Sequence, residues 1–124
     1  MIGVNTERIE RENLRVEISD SHVLDIRFYG AIREKNPSDW LKEFFDRVAG
    51  MLAERNVVVL DIRELEFMNA TAFRVLIPWL SSLKDRPTPC KVRLRSKASV
   101  MWQSVAVCSL KVIAEDMIIS EVDP

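Results

Sequence analysis

The chain has 124 residues, enough for one domain of ordinary size that needs no disulfide or metal to hold it together. Apolar residues make up 48% and charged residues 30%, a balance that argues against bulk disorder. A net charge of −1 supplies no overall field for nucleic acid or an anionic membrane, and two cysteines with one histidine argue against a protein metal centre.

Residues 1–13 are polar, lack the apolar stretch of a signal peptide, and read as a flexible lead-in to a single domain over 1–124. Leu14, Val16 and Ile18 alternate with Arg15 and Glu17. After the turn chemistry of Ser19–His22, Leu24, Ile26 and Phe28 alternate with Asp25 and Arg27. Period two predicts an antiparallel hairpin that ends at Gly30. Asn36-Pro37-Ser38-Asp39 has the chemistry of a helix start: a capping side chain, a first-turn proline and an acid at the positive end of the dipole. Leu41, Phe44, Phe45, Val48 and Leu52 continue that helix to about Arg55, with Gly50 weakening it.

Val57–Leu60 is an uninterrupted apolar run, predicting a strand buried on both faces that ends at Asp61-Ile62-Arg63. A second helix is predicted over 70–84. Phe73, Leu76, Ile77, Leu80 and Leu83 form one stripe, and Ala72, Val75 and Trp79 form another. One stripe must meet the sheet, so Trp79 is either free for a partner or covered by a neighbouring helix. Pro78 removes a backbone hydrogen bond and predicts a kink near Arg74. Beyond Arg86–Pro89, Lys91–Arg95 alternates as a strand. Ser96 or Ser99 is placed to cap a third helix carrying Val100, Met101 and Val105, and 117–122 is strand-like. The order β-β-α-β-α-β-α-β predicts an α/β fold: a mixed β-sheet with helices packed mainly on one face.

No apolar run approaches the ~20 residues that span a bilayer, so no direct membrane insertion is expected. The cationic row Lys91, Arg93, Arg95 and Lys97 lacks the interleaved aromatics of a nucleic-acid surface and reads as a solvated strand face. Neither Cys90 nor Cys108 has an activating base at a telling spacing. No phosphate loop or hydrolase motif accompanies Asp61, which is expected to hydrogen-bond the loop before Asn69.

Val57-Val58-Val59-Leu60-Asp61, followed by Phe67-Met68-Asn69-Ala70-Thr71-Ala72-Phe73-Arg74-Val75-Leu76, resembles the signature of the STAS (sulfate transporter and anti-sigma factor antagonist) family. That signature is a buried strand ending in aspartate, an aromatic-aliphatic pair, then Asp-Ser-Ser-Gly opening a helix. Phe28-Tyr29-Gly30-Ala31-Ile32 is similar to the family's second strand, and order and spacing agree over about 14–122. In the antagonists the first serine accepts phosphate. Here that position is Ala70, with Asn69 for aspartate and Ala72 for glycine, leaving Thr71 as the motif's one hydroxyl and the phosphorylation candidate.

The resemblance implies a bacterial, cytoplasmic, non-enzymatic module that regulates transcription by partner switching and needs no cofactor or metal. Its implied partner is a kinase-type anti-sigma factor or related regulator. The partner-binding surface is expected at Met68, Asn69, Ala70, Thr71, Arg74 and Trp79, with a homodimer as a further possibility. The alternative is a structural subunit of a signalling scaffold or lipid-transport complex, without phosphorylation switching. Capping competes with function at the helix start, for Asn69 and Thr71 alike.

Overall fold

The computed structural model describes residues 5–53 and 55–124. Six strands lie side by side in chain order: β1 (Asn5–Arg11), β2 (Leu14–Asp20), β3 (Leu24–Ile32), β4 (Val57–Met68), β5 (Lys91–Lys97) and β6 (Ile118–Asp123). The first three pair antiparallel and the last three continue parallel from β3. Each parallel step is bridged by one helix: α1 (Ser38–Met51), α2 (Ala70–Lys84) or α3 (Met101–Ile113). Crossovers of one hand between successive neighbours bring all three helices to the same side of the sheet. Leu14, Val16, Ile26, Phe28, Leu60 and Leu94 point into that side and form one core with Phe44, Phe45, Leu76, Leu80 and Leu110.

Among the described residues the opposite face of the sheet carries no helix, and the strand register explains how it stays solvated. Arg8, Glu17, Arg27, Asp61, Arg95 and Glu121 stand next to one another across all six strands, with the sign of charge alternating at every step. Opposite charges on directly paired strands stabilise a sheet, and like charges there destabilise it. Arg95 thus lies between Asp61 (3.9 Å) and Glu121 (3.7 Å), while Arg93 meets Glu121 and Lys97 meets Glu64. The cationic row of β5 is an interior strand's contribution to this ladder.

Five expectations are corrected. Residues 5–11 are an ordered edge strand rather than a lead-in, while 1–4 lie outside the described residues. The first helix ends at Met51 instead of Arg55. Ala53 closes the turn with φ 50°, and Arg55 reaches back to Asp20 at 2.5 Å and to the Ser21 carbonyl. Neither Asn36 nor any other side chain caps that helix, whose cap position is Pro37. Finally, β4 does not stop at Arg63 but runs to Met68, and β3 runs past Gly30 to Ile32.

Gly50 sits in α1, exposed, and a Cβ there meets nothing within 4 Å. Gly50→Ala is therefore expected to stabilise the domain by about 0.5–1 kcal/mol, read from urea unfolding, because it removes backbone freedom from the unfolded chain without a clash.

Candidate functional site

The candidate site is the N-terminal tip of α2, where the chain leaves the central strand β4. Asn69 has extended backbone (ψ 166°), and its Oδ1 accepts the Ala72 N–H at 2.9 Å, so the capping reading of Asn69 is realised. The same side chain donates through Nδ2 to the Glu34 carbonyl at 2.8 Å, and the Asn69 N–H donates to the Ile32 carbonyl at 3.1 Å. One residue thus caps the helix and fastens its start to the loop between β3 and α1. Asn69 is half-buried by these ties.

That loop is held in turn by Glu34, whose carboxylate accepts both guanidinium donors of Arg11 (2.8 and 3.0 Å) and the Trp40 indole N–H (2.8 Å). The Arg11 bonds foremost keep the Glu34 carboxyl below its usual range. The β1–β2 hairpin therefore braces the tip, a link that the sequence reading, with residues 1–13 as a loose lead-in, lacked.

With Asn69 acting as the cap, the Thr71 hydroxyl has no hydrogen-bond partner among the described residues, and Thr71 is half-buried. Ala70 and Arg74 are exposed one turn apart, and Met68 is half-buried beside them. Arg33 stacks 4.6 Å from the Phe67 ring centroid. Arg33, Lys35 and Arg74 have no carboxylate partner within ion-pair distance among the described residues, whereas Arg11, Arg27, Arg63 and Arg95 all do. The tip is thus a small neutral platform with a cationic rim.

Five of the six predicted surface residues, Met68, Asn69, Ala70, Thr71 and Arg74, gather at this tip. Trp79 does not. It is 5% exposed, packed on Phe45 of α1 with ring centroids 4.6 Å apart, and its stripe partners Ala72 and Val75 are buried with it. Helix α2 spends both stripes on packing, one against the sheet and one toward α1, so Trp79 cannot serve as an exposed anchor. Pro78 lies on the exposed side of a helix that continues through it.

Asp61 is also corrected. It accepts from the Arg63 backbone N–H (3.1 Å) and from two donors of the Arg63 guanidinium (3.0 and 2.8 Å), far from any bond to the Asn69 loop. Burial pushes its carboxyl up, but the Arg63 bonds and the Arg63 and Arg95 charges hold it below the usual aspartate range. A depressed folded value means stability present above the unfolded value of about 4 and lost as pH falls through the folded one. Asp61→Asn should therefore flatten the acid limb of a stability–pH profile, and an unchanged slope between about pH 2 and pH 5 would refute this role for Asp61.

Gln103 was not foreseen. It is fully buried, and it stitches the fork where β4 and β5 part. Past Asp61 the two strands no longer pair. Gln103 Nε2 donates to the Ile62 and Leu65 carbonyls at 2.6 and 3.0 Å, and Oε1 accepts the Lys97 N–H at 2.7 Å. The Trp102 indole N–H also reaches the Leu65 carbonyl, at 3.0 Å. These bonds carry β4 on to the tip.

No family model and no curated protein matches the chain. Solved structures do. An anti-sigma factor antagonist from Mycobacterium paratuberculosis superposes with a TM-score of 0.57 at 11% identity, over 98% of this chain and 86% of that one. SiaC of Pseudomonas aeruginosa gives 0.63 at 15% identity, over 97% of each chain. A structure of apo-SiaC from the same organism gives 0.69 at 17%, over 97% of this chain and 99% of that one. With TM-scores of 0.57 to 0.69 over nearly its whole length, the chain has a STAS-like fold, shared with that antagonist and with SiaC.

Proposed function

We propose that this chain is a non-enzymatic regulatory module of the anti-sigma factor antagonist kind, which lands on a kinase-type anti-sigma factor or related regulator through the tip of α2. The observation that carries the reading is the tip itself: Ala70 and Arg74 exposed and Thr71 with an unengaged hydroxyl, all on a helix end fixed from behind by Asn69. Similarity in fold to an antagonist supports it. The contact surface comprises Met68, Asn69, Ala70, Thr71 and Arg74, and the rim of Arg33, Lys35 and Arg74 favours a partner that is acidic where it touches. The setting proposed is the bacterial cytoplasm. Among the described residues no helix is long and apolar enough to cross a membrane.

Thr71 is the proposed phosphate acceptor. A phosphate there adds about −1.5 to −2 charges near the positive end of the α2 dipole and three residues before Arg74, so the helix tolerates it. Its effect falls on the partner, which meets new bulk and charge. Incubation with the ATP-binding partner and Mg-ATP should phosphorylate Thr71 and leave Thr71→Val unmodified, read by mass spectrometry. Thr71→Glu should weaken the complex by at least about tenfold, about 1.4 kcal/mol. Phosphate elsewhere with unaltered Thr71→Glu binding would overturn the switch.

Ala70 supports a second reading. With no hydroxyl where the resemblance places the acceptor serine, the module binds constitutively, as a structural subunit of a larger assembly would. Recovery of a membrane transporter or scaffold subunits in place of a kinase favours this alternative.

A further inference from the structure

The outward surfaces of the helices differ in kind. Helix α1 turns Lys42, Glu43, Asp46 and Arg47 to solvent. Helix α3 turns out Met101 (81% exposed), Val105 (63%), Cys108 and Val112 (86%), with Ile113 half exposed at its end, and Lys111 is its one charged residue. The inner face of the same helix is already satisfied by Gln103, Ala106, Val107 and Leu110, so this second stripe has no packing role among the described residues. Its spacing of four, three and four residues is the seam of a packed helix pair, not a scatter of surface apolar residues.

We propose that this face joins two copies of the chain, α3 against α3, antiparallel about a twofold axis. The stripe is symmetric about its own midpoint: Met101 then faces Val112 of the second copy, and Val105 faces Cys108. A surface that is its own complement is what an isologous contact requires. The small side chains at positions 104, 105, 108 and 109 allow the helices to approach closely. With one charge per helix, and that charge outside the seam, no like charges are forced together. The area is modest, roughly 1,000 Å² for the pair, at the lower bound of specific interfaces, so the dimer is expected at micromolar concentrations and not far below. The inference is independent of the reading of the α2 tip.

Sedimentation velocity from about 1 to 500 μM should show the mass rising from one copy to two. Val105→Glu with Val112→Glu places charges in the seam at exposed positions, so the fold survives while the dissociation constant rises roughly 100-fold. Circular dichroism verifies that fold. Copper-phenanthroline oxidation should couple Cys108 to Cys108 of the second copy, leave buried Cys90 untouched, and yield no dimer in Cys108→Ser. A chain that stays monomeric throughout, whether its stripe is left for another protein or for none, contradicts the proposal. So does a dimer that persists in the double glutamate variant.

Discussion

Replacing Gln103 by leucine is expected to cost about 3–5 kcal/mol, the largest effect of any single substitution considered, although no charge is removed and the volume barely changes. The side chain is 0% exposed and bonds to three backbone groups that have lost strand pairing: the Ile62 and Leu65 carbonyls and the Lys97 N–H. An apolar replacement leaves each of them buried without a full set of partners, at about 1–3 kcal/mol apiece. Trp102 still serves the Leu65 carbonyl, so the total stays below the upper sum. Against a typical net stability of 5–15 kcal/mol this is a large share. Because β4 leads into the tip, the same variant should weaken partner binding before it unfolds. Urea unfolding measures the first effect; a loss under about 1 kcal/mol would show that the fork closes on its own.

Gly30→Ala is expected to cost roughly 3 kcal/mol, through the backbone rather than through lost contacts. Gly30 has φ +100°, and a Cβ there would lie 2.1 Å from the Asn13 carbonyl oxygen. That oxygen accepts the Ala31 N–H at 2.8 Å, so it cannot retreat without giving up its bond. The β1–β2 turn, with Asn13 itself at φ 63°, must shift instead, which loosens Arg11 from Glu34 and with it the brace behind the tip. Asn13→Gly should not rescue Gly30→Ala, because the obstructing atom is backbone. Rescue in a denaturant titration would point to side-chain crowding.

What was legible in the sequence follows the physics of periodicity. Helix α2 was predicted over 70–84 and is found at Ala70–Lys84, because its start has a capping side chain and its stripes are strong. The hairpin β2–β3 showed plain alternation. Strand β1 was lost because its inward positions are Glu7, Ile9 and Arg11, two of them charged, and such a strand becomes visible only through its pairing with β2. Trp79 was ambiguous in principle, since a helix with two apolar stripes does not say which neighbour covers the second. The Arg8-to-Glu121 ladder and the Gln103 stitch depend on register and on a strand fork, which join residues up to 113 and 41 positions apart respectively. Local pattern carries no signal for either. The candidate site was readable to the extent that it was local: five of its residues lie in one stretch that the structure places at the tip, while the brace through Arg11 and Glu34 joins distant segments.

Protein partners are expected to arrive at the end of α2 that follows the middle strand. A photo-reactive phenylalanine analogue placed at exposed position 70, with another at exposed position 50 on α1 as the control, tests this inside cells. The expectation is one dominant adduct from position 70, none from 50, and tryptic peptides of an ATP-binding kinase-type protein within it. Equal labelling from the two positions, or labelling from 50 alone, would contradict the assignment of the α2 tip as the landing surface.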